Sequence, residues 1–137
     1  MSRFVRNGGL ALFVLLFGAC SDATGPLLSL AKAREVWESH NLVTYSYTGT
    51  QACFCGAPSG PVRVDVVNDV VTVVTDLTTD EEVSPVGFLT SDQLLNLAET
   101  LQPRPVEFDR QFGFPKRVER CCATDDSGAV YTVAGMT

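Results

Sequence analysis

The thirteen residues Val62-Arg-Val-Asp-Val-Val-Asn-Asp-Val-Val-Thr-Val-Val74 hold eight valines, and Asn68-Asp69 divides them. Valine is β-branched and favours strands, while Asn and Asp tolerate the positive φ angles of a two-residue hairpin turn. With the turn at Asn68-Asp69, Val67 faces Val70, Val66 faces Val71 and Val64 faces Val73. One side of the hairpin then carries Val62, Val64, Val66, Val71 and Val73, and the other carries Arg63, Asp65 and Thr72. A strand repeats every two residues, so the first side is expected to be core.

The flanking sequence supplies the other elements. Leu30, Ala33 and Trp37 lie at i, i+3 and i+7 within Leu27 to Ser39, the spacing of one helical face, and His40-Asn41 ends that helix. Val43, Tyr45 and Tyr47 alternate with Thr44, Ser46 and Thr48, which predicts a half-buried strand. Asp76 to Gly87, acidic and threonine-rich, reads as a loop. Thr90 with Gln93 three residues on is a capping-box pattern that opens a helix from Ser91 to about Gln102, carrying Leu94, Leu97 and Leu101, before Pro103 stops it. Val106 and Phe108, then Arg117 to Cys121, then Ala129 to Val133 read as three more strands. The expected order is α-β-β-β-α-β-β-β. Short turns make the strands antiparallel, and two helices on one face of such a sheet give an α+β fold.

At the N-terminus Arg3 and Arg6 precede Leu10 to Phe17, an unbroken apolar run of eight residues. A membrane span needs about 20 residues, so this run has the length of a signal-peptide core instead. It ends in Leu16-Phe17-Gly18-Ala19-Cys20, which resembles the lipobox of bacterial lipoproteins. That resemblance implies a signal peptide over residues 1–19, a lipidated (palmitate-bearing) Cys20 and a tether over residues 20–26. Residues 27–137 form a single domain. Ser21 after the cysteine implies the outer membrane where the source has one. Ten basic residues less Arg3 and Arg6 leave eight against sixteen acidic, a mature charge of −8. Nucleic acid is excluded as a partner on that balance, since its affinity comes from Lys and Arg on phosphate. Arg104, Arg110, Lys116, Arg117 and Arg120 cluster, but Glu107, Asp109 and Glu119 interleave with them and make a mixed-charge surface.

Cys53 and Cys55 form a C-x-C pair, and Cys121-Cys122 an adjacent pair. With Cys20 taken by lipid, an even four remain in an oxidising compartment, where disulfides are the default. Bridges within each pair demand small strained rings, so two bridges joining the pairs are expected, with both crossed connectivities open. A four-thiolate metal site is the rival reading, and it needs reduced cysteines and usually wider spacing.

Trp37, Asn41, Tyr45-x-Tyr47, Cys53-x-Cys55, the valine hairpin, the capped leucine helix, Phe108-Asp109 before Gly113-Phe114-Pro115, Asp125-Asp126 and Tyr131-x-Val133 follow one another in an order that resembles a family of small exported bacterial domains of unknown function. The resemblance implies an exported domain and no particular activity.

The residues themselves mark no catalytic centre. His40, the single histidine, lies at a helix end, where an imidazolium meets the helix dipole. Asp80-Glu81-Glu82 and Asp125-Asp126 lack the ligand spacing of a calcium loop. Phe112 and Phe114 flank Gly113 and are a binding surface if exposed, core if not. Neither a cofactor nor a metal is implied. The expectation is a non-enzymatic module at the cell envelope, held to the membrane by lipid and binding an envelope component. A thiol-based redox or metal-binding role and an inhibitor or immunity role are the alternatives.

Overall fold

The computed structural model describes residues 27–53, 57–120 and 128–137. Cys20, Cys55, Cys121, Cys122, the signal peptide, the tether and the Asp125-Asp126 turn lie outside the described residues. Among the described residues two helices and six strands are arranged as α1 (Leu30–Ser39), β1 (Tyr45–Cys53), β2 (Val62–Val67), β3 (Val70–Asp76), β4 (Glu81–Val83), α2 (Ser91–Thr100), β5 (Arg117–Arg120) and β6 (Ala129–Met136). The sheet is antiparallel throughout, in the order β4-β3-β2-β1-β6-β5. The α+β class is as the sequence implies, but the strands fall four and two about α2 rather than three and three. Glu81–Val83 pairs with β3 inside the expected loop. The expected strand at Val106 and Phe108 reduces to a single bridge, Phe108 to Pro115.

The hairpin turns where the valines are divided. Asn68 and Asp69 both take positive φ, at 51° and 62°. Val67 pairs with Val70 and Val66 with Val71, as the alternation requires. A bulge then shifts the register, so that Asp65 meets Val73 and Val64 meets Val74. Thr72 is the extra residue, and its hydroxyl donates to the Asp65 carbonyl at 3.2 Å. Val74, not Val73, therefore joins Val62, Val64 and Val66 in the core.

Both helices cover this face. Ser29 caps α1 by accepting from Lys32 N, so the helix starts at Leu30, the first residue of the apolar row, and not at Leu27. Thr90 and Gln93 form the full capping box of α2. The buried stripe of α2 is Ser91, Leu94, Leu95 and Ala98, so it is rotated from the Leu94-Leu97-Leu101 row. Trp37 of α1 meets Tyr45 edge-on with ring centres 5.1 Å apart, and its Nε1 donates to the Asp92 carboxylate of α2 at 3.2 Å. The Arg34 guanidinium donates to Asn96 and Glu99 on the outer side of the same pair of helices.

Three tyrosines tie the sheet to the segment that opens α2. Tyr47 donates to the Leu89 carbonyl at 2.6 Å and Tyr131 to the Gly87 carbonyl at 3.3 Å. The Tyr45 oxygen accepts from the Ser91 amide at 2.9 Å, one of the free donors of the first helical turn. Two glycines permit close packing elsewhere. A Cβ on Gly49 would strike the Thr132 carbonyl of β6, and one on Gly113 would strike the Ala33 carbonyl of α1.

Candidate functional site

After α2 the chain returns to the sheet through a closed loop. The Asp109 amide donates to the Phe114 carbonyl at 2.8 Å and the Gly113 amide to the Asp109 carbonyl at 2.9 Å. The Asp109 carboxylate accepts from the amides of Gln111 and Phe112, at 2.9 and 2.8 Å. The Lys116 amide then donates to the Glu107 carbonyl at 2.9 Å, closing the loop's base.

Beyond that base the two arms separate. The next hydrogen-bonded pair of that ladder would join Pro105 to Val118, but Pro105 has no amide and the backbone groups of Val118 face β6. Among the described residues no backbone hydrogen bond joins residues 104–106 to β5. The separation opens a groove of about 420 Å³, with Leu101, Pro105 and Val106 as its apolar lining and Arg117 and Glu119 of β5 on the opposite side. Arg104 and Glu107 complete it. Ligand pockets typically enclose about 300–1,000 Å³, and this groove falls within that range.

The charges along the groove are unevenly paired. Lys116 Nζ lies 2.8 Å from Glu107, and the Arg117 guanidinium reaches Glu119 at 2.6 Å. Arg104 and Arg120 make no ion pair among the described residues. In a chain of net charge −6, this edge of the sheet has an excess of positive charge. The mixed-charge surface expected from the interleaved basic and acidic residues is present in these two ion pairs. What the sequence alone did not show was the groove itself. The available signal was Pro103-Arg104-Pro105, two prolines that keep the chain from pairing with the strand that follows.

The other sequence-marked residues are spread out. Phe114 is only 2% exposed and packs in the core, so it is withdrawn from the suggested Phe112 and Phe114 surface. Phe112 is half-buried, stacked at 6.4 Å on Phe114 and 5.1 Å from the His40 ring. His40 caps α1 through its backbone, and its Nε2 lies 2.8 Å from the Gln111 carbonyl, so the ring ties α1 to the 109–115 loop. Cys53 ends β1, half-buried, with Gln51 Nε2 donating to its sulfur at 3.7 Å.

Neither the curated proteins nor the solved structures gave a match to this chain. Residues 29–134 match a family described as a family of unknown function, DUF6174. The match runs from the Ser29 cap of α1 into β6, across all the elements that build the groove, and the chain belongs to that family.

Proposed function

We infer that the chain is an exported, lipid-anchored binding module of the cell envelope. The observation that carries this is the order of the N-terminal sequence: Arg3 and Arg6, the apolar run Leu10 to Phe17, then Gly18-Ala19 directly before Cys20. A lipid on Cys20 would hold the domain to a membrane, the outer one in a diderm source. The seven residues of the tether would reach at most about 25 Å even if fully extended. A domain of charge −8 has no electrostatic attraction to an anionic membrane, so the anchor would have to be covalent. A concave surface bordered by a free strand edge supports binding as the role, and the partner is then a component of the same envelope.

The same reading takes Cys53, Cys55, Cys121 and Cys122 as structural bridges between the two pairs. The register supports it, because Cys53 of β1 aligns with Ala129 of β6, and Ala129 with Arg120 of β5. The ends of the two strands that lead into the cysteine pairs therefore lie at one end of the sheet, with only β6 between them.

Metabolic labelling with a fatty-acid analogue tests the anchor. The wild type is expected to carry label and Cys20→Ala to carry none. A version exported behind an ordinary cleavable leader, so that it begins at Ser21, is expected in the soluble envelope fraction. An unlabelled wild type, or a chain beginning at Ser21 that still sediments with membranes, would overturn the reading.

A further inference from the structure

Among the described residues β5 is an edge strand with one neighbour, β6. The Lys116 carbonyl accepts from the Val133 amide at 2.9 Å, on the β6 side. Backbone groups alternate in direction along a strand, so those of Val118 follow toward β6, and the amides and carbonyls of Arg117 and Glu119 face outward. These outward groups border the same groove that Leu101, Pro105 and Val106 line. Free ladder positions, an adjoining apolar trough and a cation without a carboxylate thus occupy one site.

We propose that an extended, acidic peptide segment of a partner protein binds here as a seventh strand, hydrogen-bonded to the outer edge of β5. Alternate side chains of the peptide would lie on Leu101, Pro105 and Val106, and a carboxylate would pair with Arg104. Main-chain hydrogen bonds give such a strand its affinity and the pockets beside it give selectivity. The charge of the site selects the occupant. Glu107 and Glu119 are already neutralised by Lys116 and Arg117, which leaves Arg104 and Arg120 to favour an acidic segment. The opposite edge of the sheet, Glu81-Glu82-Val83, is acidic and lacks these features. A single peptide strand suits the site better than a second folded copy, because the 101–107 wall stands beside β5 and restricts a whole sheet. The proposal deepens the binding-module reading, and its test does not depend on lipid.

The detergent-solubilised, full-length mature chain would be panned against a phage library of random linear heptapeptides, and the selected peptides synthesised for titration. Enrichment of sequences that combine Asp or Glu with β-branched residues is expected. Arg104→Glu should weaken their binding by about tenfold or more, the loss of one charge-assisted contact. Glu119→Pro, which deletes an outward amide, should abolish it. Arg104 is exposed, so the charge reversal keeps the test valid should the proline variant not fold. An unenriched library, or selected peptides that bind Arg104→Glu as well as the wild type, would overturn the proposal. So would a dimer of the chain that Glu119→Pro disrupts without any selected peptide, since a second copy would then own the edge. Failure of lipid labelling would leave this result untouched.

Discussion

Gly113 shows how a single residue fixes the approach of a loop to a helix. Its φ is +83°, a conformation that L side chains rarely adopt, and a Cβ would collide with the backbone of Ala33. Gly113→Ala therefore meets strain and a clash that backbone cannot relieve, and is expected to cost about 1–3 kcal/mol in denaturant unfolding. Wild-type stability in that variant would mean the loop does not rest on α1. The three tyrosines make a second residue-scale prediction. Burial pushes the Tyr47 hydroxyl well above its ordinary range, with the neighbouring Tyr45 and Tyr131 adding to the shift, and burial likewise raises Tyr45 and Tyr131. A pKa raised by folding contributes stability that is fully present below the unfolded value, about 10, and is lost as pH climbs through the folded value. Tyrosinate absorbance should therefore appear late and together with alkaline unfolding, and Tyr47→Phe should flatten the loss of stability with pH. Titration of all three near pH 10 with native circular dichroism intact would contradict this. The tyrosine alternation was legible in the sequence, but the carbonyls that receive the hydroxyls were not, because they lie more than forty residues away.

At the scale of elements, legibility followed the strength of local chemistry. The capping box of α2 and the Asn68-Asp69 turn are set by neighbouring side chains and backbone angles, and both stand where the sequence puts them. β4 was missed because its three residues are acidic or partly exposed and take their strand form from β3. The Phe108 strand shrank to a bridge because Pro105 has no amide for the next hydrogen-bonded pair and the backbone of Val118, its would-be partner, faces β6. The bulge at Thr72 was also invisible, since a run of valines fits either register equally well. It gives the clearest test of the hairpin. Val74 is fully buried whereas Val73 shares the outer face with Asp65. Val74→Asp buries an unpaired carboxylate and should cost about 3 kcal/mol or more, whereas Val73→Asp should cost about 1 kcal/mol or less. Chemical denaturation of the two variants reads the difference, and the reverse ranking would restore the unbulged pairing. The groove at β5 belongs to the same lesson, because it arises where a ladder fails to continue and periodicity reports only where ladders form.

The whole molecule brings distant segments together, and there the cysteines return. Register alone aligns Cys53 with Arg120, the last residue of β5, across β6, although 66 residues of sequence lie between them. The C-x-C and C-C spacings suggested bridges between the pairs, but only the central position of β1 and β6 in the sheet supplies a reason for those ends to meet. A link between Cys55 and Cys121 would close a loop of about 65 residues and, on the chain-entropy estimate, stabilise the fold by about 4 kcal/mol. A second bridge beside it closes only a few further residues and should add much less. Removing both cysteines of one pair is therefore expected to destabilise the domain by about the value of the first bridge, and removing a single cysteine by less, provided the other crossed link survives. Intact mass after alkylation under denaturing, non-reducing conditions measures the oxidation state directly. The mature chain is expected to take up no alkylating groups on these four positions, and four groups after reduction. Four groups without reduction, or stoichiometric metal in the native protein, would overturn the bridges and return the cysteine pairs to thiol or metal chemistry.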